Sequence, residues 1–596
     1  MKKWILALSA FLVLVLAFFI YNRAHRKMVI TEITLKQEEY EVVKYESFKP
    51  GELWIDDQGH HIQAHGGGIL YDEKTKKYYW YGENKAYPDH YPRNGVIGMS
   101  CYSSTDLYNW KYEGLALSAV TDPDAGYPLS DLKPDRVFER PKVIYNDKTK
   151  KYVMWAHIES PDYSYARAGV AISDSPTGPF TYLGSERPNG QMSRDMTLFK
   201  DDDGTAYLIY ASEHNRTLYI SKLTDDYLKQ SGEYVRVFID QSREAPAIIK
   251  HEGKYYMVTS ACTGWAPNEA KYAVADNIFG PWTEIGNPCI GENAHLTFYS
   301  QSTFILPMPN QKGRYIFMAD RWNPKNLGDS RYVWLPLDFY DGKMVIEYFD
   351  EWSMENTKRV YAEEISVNTT LNTKPGLPHT IDVLVEGEKG SYKVEWEYDK
   401  KNLGTIGQFK ANAKILDLNV TKQIGKINVY PANLIYFVDC APDESKEYLE
   451  VKKTNNLLNS VSDKAYGVDP VTGKSWGYEK TKDIYAYNEN TDMFSSVRAD
   501  ESQVAGNGVK YKFEVPNGTY KVYVGLHDPW ANSGRYMNLV VNGEVKEKDF
   551  VCPADKRTYI YDVTVNNGEI TVDVLRSEKS TNNSHAPLVS FIMIGK

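Results

Sequence analysis

The feature that most constrains this chain is a hairpin that recurs five times. Each copy joins a short apolar strand, through a polar turn, to a second strand rich in aromatic residues. The copies are Gly68–Asp72 with Tyr78–Tyr81, Lys142–Asn146 with Tyr152–Trp155, Thr197–Phe199 with Ala206–Tyr210, Ala247–Ile249 with Tyr255–Val258, and Thr303–Leu306 with Tyr315–Met318. Hairpins repeating every ~50 to 70 residues, with no long helical period between them, indicate blades set around an axis. Turn signals such as Ser173–Pro179 and Ala275–Trp282 end the strand pairs between the copies and mark outer strands. The repeat therefore predicts a five-bladed β-propeller over residues 45–355, in an all-β chain.

Beyond the repeat the texture changes. Residues 362–437 alternate as short strands, including Thr380–Val385 and Tyr392–Glu397, and are read as an immunoglobulin-like sandwich. Residues 440–596 hold hairpin signals at Pro516-Asn517-Gly518 and Asn542-Gly543 and are read as a second, larger β-sandwich. At the other end, Lys2 and Lys3 precede an apolar run from Trp4 to Ile20, and Arg23, Arg26 and Lys27 follow it. Residues 1–28 thus read as a signal peptide or membrane anchor. Either one places the folded part outside the cytoplasm, secreted or held on the outer face of the membrane.

Composition narrows the function. The net charge is −10, so no global positive field holds a phosphate backbone, and nucleic acid is excluded as a partner. Five cysteines show no CxxC spacing and allow at most two disulfides. The 47 tyrosines and 13 tryptophans, with an acidic balance, suit sugar recognition. Nothing in the chain calls for a metal or cofactor, and a monomer is expected.

In a propeller, polar groups at matching positions of successive inner strands converge on one axial pocket. Here those positions hold Glu139-Arg140-Pro141, Ser193-Arg194-Asp195, Arg243-Glu244-Ala245-Pro246 and Ser300-Gln301-Ser302. Ala64, His65 and three glycines fill the first, and Glu83 ends its aromatic strand. Glycoside hydrolysis needs an acid to protonate the leaving oxygen and, with inversion, an opposing group that activates water ~6.5 to 9.5 Å away. A ring of carboxylates supplies both.

This constellation resembles glycoside hydrolase family 43. The Gln63–Gly68, Tyr79–Glu83 and Thr263–Asn268 segments resemble its exo-β-1,3-galactanase branch. The resemblance implies that Glu244 is the general acid, that Asp195 orients it and raises its pKa, that Glu139 lies essential near the sugar, and that Gln301 holds the attacking water. The family's usual first-blade Asp is replaced by Ala64 and His65. Glu83, His65, Tyr163, Thr263, Trp265 and Trp322 are candidate substrate-binding residues, with His65 read as an axial loop residue and not a metal ligand. The reaction expected is inverting release of galactose from β-1,3-galactan. An α-L-arabinofuranosidase or β-xylosidase, or a non-catalytic sugar-binding protein, are the alternatives. The terminal sandwich resembles carbohydrate-binding and malectin-like modules, with Trp476, Tyr478, Trp530 and Tyr536 as its candidate sugar platform.

Overall fold

The computed structural model describes residues 38–86, 96–440, 444–487, 493–528, 530, 534–580 and 585–596. The apolar segment within 1–28 lies outside them. Among the described residues no helix is long and apolar enough to cross a membrane. The chain is all-β and divides into two compact units, one reaching to Tyr361 with Leu384–Gly390, the other Ala362–Val383 with Ser391–Lys596.

The first unit holds five consecutive antiparallel sheets. Their first two strands are His65–Asp72 and Lys77–Glu83, Val137–Asn146 and Lys151–Glu159, Met196–Lys200 and Ala206–Ser212, Arg243–His251 and Lys254–Ala261, and Gln301–Pro307 and Tyr315–Arg321. Each sheet adds two further strands outward, and the fifth also takes Cys289–Ile290, parallel to Lys343–Glu347. The first strand of each sheet touches the first strands of the sheets before and after it, and those of the fifth and first also meet, so the five close a ring.

The aromatic strands explain why the ring holds. Side chains alternate across a strand, and a sheet covered on both faces must be apolar on both. Tyr79 and Tyr81 pack toward the second sheet, whereas Tyr78 and Trp80 pack toward the fifth. Tyr152 and Met154 face the first sheet, and Val153 and Trp155 the third. The same division separates Leu208 and Tyr210 from Ile209 and Ala211, Tyr255 and Met257 from Tyr256 and Val258, and Ile316 and Met318 from Phe317 and Ala319. Closure is densest where Trp80 meets Trp334 at 4.7 Å and Phe48 exchanges backbone hydrogen bonds with Trp352. Truncating Trp80, 1% exposed, to Ala costs about 3 to 5 kcal/mol.

In the second unit, Gly407–Ile415 pairs with Val420–Tyr430, which runs parallel to Ile365–Thr370. Farther on, a four-stranded and a six-stranded sheet share one core that includes Tyr436, Trp476, Tyr511, Val522 and Val572. All five cysteines are free thiols, so neither of the disulfides the count permits is formed.

Candidate active site

The site is made where inner strands begin and second strands end. Antiparallel register sets these positions opposite each other: His65 with Glu83, Glu139 with His157, Glu244 with Ser260, and Gln301 with Asp320. Just past each pair the register slips, through bulges at Gly66, Arg140, Ala245 and between Ser302 and Phe304. Gly66, Arg140 and Ala245 have left-handed backbones, with φ of +58°, +53° and +52°. A bulge bends a strand and re-aims its side chains, here toward the axis. Glycine is required at 66, because a Cβ there would lie 2.2 Å from a Glu83 carboxylate oxygen.

These positions enclose a cavity of about 310 Å³, walled by Glu83, Glu139, Asp195, Glu244 and Gln301, with Tyr163, Trp265 and Trp322 at its sides. Glu244 is 9% exposed and accepts from Gln301 Nε2 and from Asn215 Nδ2, both at 3.1 Å. Burial first, and then the Asp195 carboxylate, push its pKa up to about 8, against the pull of Arg140. At neutral pH it carries a proton. Asp195 is bound by Arg140 Nε at 2.9 Å.

Arg140 is the hub that the sequence reading cast only as a partner for Glu139 or Glu244. Its Nη2 donates to Gln301 Oε1 at 2.7 Å, its Nη1 to the Ser302 carbonyl at 3.1 Å, and its backbone N–H to Glu83 at 2.9 Å. Glu139 instead faces Lys85 at 3.6 Å, His157 at 3.4 Å and the Tyr163 hydroxyl at 3.5 Å. Burial opposes its ionisation, yet Lys85 and His157 outweigh burial and draw its pKa down to about 2. His157, between Glu139 and Glu159, is in turn raised to about 9 despite its burial.

Gln301 is placed differently from the expectation. Its amide nitrogen donates to Glu244 and, at 3.0 Å, to Ser260, while its oxygen accepts from Arg140 and, at 3.0 Å, from Trp322 Nε1. Two donors and two acceptor sites are all that a glutamine amide has, and all are engaged. Gln301 therefore stands beside Glu244, and not across the sugar at inverting distance.

Three further expectations need correction. His65 is fully buried, stacked on Tyr332 at 5.1 Å and 3.6 Å from Asp320, so it lies under the site and not on its wall. Thr263 spends its hydroxyl inside its own loop, donating to the Ala266 carbonyl at 2.6 Å and accepting from Asn268. In the second unit Trp476 is 0% exposed, with its indole N–H on Asp469 at 3.0 Å, which makes it core and not platform. Tyr478 has the Arg498 guanidinium 3.9 Å above its ring, Tyr536 is half-buried on a strand, and Trp530 is exposed.

Sequence reasoning missed Lys85, His157, Asn215 and Cys262. The first two sit on or just past the end of a second strand, as Glu83 does, so the repeat carried a signal for them. Asn215 and Cys262 lie in loops after the aromatic strands, where no local pattern marks them. No group of residues suited to hold a metal ion occurs among the described residues.

Residues 67–303 match the model of glycosyl hydrolases family 43. A β-1,3-galactosidase of that family, solved with galactodeoxynojirimycin, is 45% identical, over 52% of this chain and all of that one, with a TM-score of 0.48. A second family 43 β-1,3-galactosidase is 33% identical over 63% of this chain and 79% of its own, with a TM-score of 0.50. A xylosidase/arabinosidase of Bacteroides ovatus is 28% identical, over 33% of this chain and 68% of that protein. The chain belongs to glycosyl hydrolases family 43. Across its curated relatives the matched region spans between 40% and 68% of each relative's own length.

Proposed function

We propose that this protein is an exo-acting glycosidase that releases galactose from β-1,3-galactan with inversion. The five sheets are read as the blades of a propeller, the second unit as β-sandwiches that hold polysaccharide, and residues 1–28 as the segment that exports or anchors the chain. The observation that carries the reading is Glu244: a carboxyl kept protonated at neutral pH, in an open cavity, with no cation of its own. In the proposed step it gives its proton to the departing glycosidic oxygen, and Asp195 keeps that proton in place until then. Arg140 holds Asp195 ionised by proximity and ties Gln301 to the same frame.

Neither candidate for the water is a strong base. Gln301 is a neutral amide that must give up a bond to hold water, and Glu139 is held near a pKa of about 2. The reaction is therefore read as driven mainly by acid-assisted departure, with the Glu139 carboxylate opposite the positive charge that develops on the sugar. Following the first-formed product from β-1,3-galactan by proton NMR tests this: α-galactose is expected before mutarotation, and β-galactose first would defeat inversion.

The similarity to xylosidase/arabinosidases favours a second reading, cleavage of xylosides or arabinofuranosides at the same site. A panel of aryl glycosides separates the two, the galactoside being cleaved fastest under the first.

A further inference from the structure

Beside the catalytic cavity lies a second one of about 420 Å³, and the two share Gly264, Trp265, Gln301 and Trp322 as a common rim. Its far side is formed by Tyr299, Arg321 and Pro324. Thr297, Phe298 and Tyr299 all have left-handed backbones, with φ of +50°, +56° and +62°. For residues with a Cβ this conformation costs roughly 1 to 2 kcal/mol each, and strain of that kind persists only where the surroundings impose it.

Here the surroundings do. Thr297 Oγ1 accepts from the Ala270 N–H at 2.8 Å and donates to the Asn268 carbonyl at 2.7 Å, and Arg321 Nη2 donates to the Phe298 carbonyl at 2.9 Å. The outcome is a buried Phe298 and an outward Tyr299, 45% exposed, whose hydroxyl is tied to Asn293 at 3.0 Å. Tyr299 completes a wall with Trp265 and Trp322, whose rings meet edge to face at 5.3 Å. Arg321 Nε has no acceptor in the protein. Aromatic faces beside an unspent donor make a surface suited to a pyranose ring and its hydroxyls.

We propose that this cavity is a second sugar subsite, taking a substituent carried by the galactosyl unit in the catalytic cavity: the first residue of a side chain on a branched galactan. This rests on the reading of the catalytic cavity given above. The leaving chain is placed elsewhere, because its oxygen must lie against Glu244, and Glu244 and its neighbours Asn215 and Cys262 are not among the walls of the second cavity.

The test compares kcat/KM for linear β-1,3-galactotriose with that for the same trisaccharide bearing one sugar on its non-reducing terminal galactose. Tyr299→Ala is expected to lower the value for the substituted compound on the order of tenfold more than for the linear one, the weight of one lost aromatic contact. Tyr299→Phe, which keeps the ring, restores most of the difference. An equal loss on both substrates, or none, overturns the subsite and leaves the galactanase reading standing. If wild-type protein cleaves only the linear compound, the subsite fails without any variant. If it cleaves neither, the proposed function fails and the subsite with it.

Discussion

Two carboxyl groups in this chain are pushed far above their ordinary range, and burial leads in both: Glu244 to about 8 in the first unit, Asp463 to about 7 in the second. Their surroundings differ. Asp463 has a dedicated cation, Arg498 at 2.7 Å, takes the Tyr511 hydroxyl at 3.0 Å, and is sealed from solvent. Glu244 is held by two neutral amides, and the nearby cation, Arg140, is engaged by Asp195. A raised pKa alone therefore does not mark a catalytic acid. The distinguishing features are an open cavity and a proton that no ion pair claims.

The largest expected effect falls on Glu244. Glu244→Gln removes the transferable proton and should lower kcat/KM on galactan by about 10² to 10⁴-fold, and by much less on aryl galactosides whose leaving groups need no protonation. Equal losses on both would erase the contrast with Asp463.

Asp463→Asn should act on stability instead. Breaking a buried pair leaves Arg498 uncompensated and costs about 3 to 5 kcal/mol, read by denaturant unfolding, while the folded variant keeps its aryl-galactosidase activity. The pH dependence has a definite sign. A carboxyl whose folded pKa is raised stabilises the fold fully below its unfolded pKa of roughly 4, and that contribution fades as pH rises through about 7. The second unit should therefore melt lower at pH 8 than at pH 5, and Asp463→Asn should flatten that slope.

Asp195→Asn sharpens the comparison from the other side. Removing a negative neighbour lowers the Glu244 pKa, so the alkaline limb of the kcat/KM profile should move to lower pH, with a loss at pH 7 on the order of tens of fold. An unmoved limb would mean that Asp195 serves only to place Arg140. The smallest effect is expected at Trp530, 42% exposed. Trp530→Ala should change stability by no more than about 0.5 kcal/mol, and it weakens retention on a galactan column if this ring contacts sugar.

Much of the catalytic unit was legible because the repeat is local information. Period-two aromatic runs need two covered faces, and equivalent positions of equivalent hairpins point at one axis, so Glu139, Asp195, Glu244 and Gln301 could be singled out together. His65 was misjudged for the same reason: it stands at an equivalent position, but the glycines after it turn the strand so that its ring goes beneath Trp322. Trp476 was misjudged because a tryptophan on a short strand reads alike whether it faces a sheet or solvent.

The sequence by itself determined the β-architecture of the repeat, its five-fold recurrence, and the set of polar residues presented at the inner strand ends, since these follow from periodicity and turn chemistry within a few tens of residues. Only the tertiary structure decided which group meets which. Arg140 reaches Gln301 across 161 residues, and Gln301 reaches Glu244 across 57. No local pattern encodes those pairings, because ring closure and the left-handed bulge at Arg140 create them. They turn four candidate residues into one acid with its proton held, an orienting carboxylate, a saturated amide and a carboxylate kept ionised.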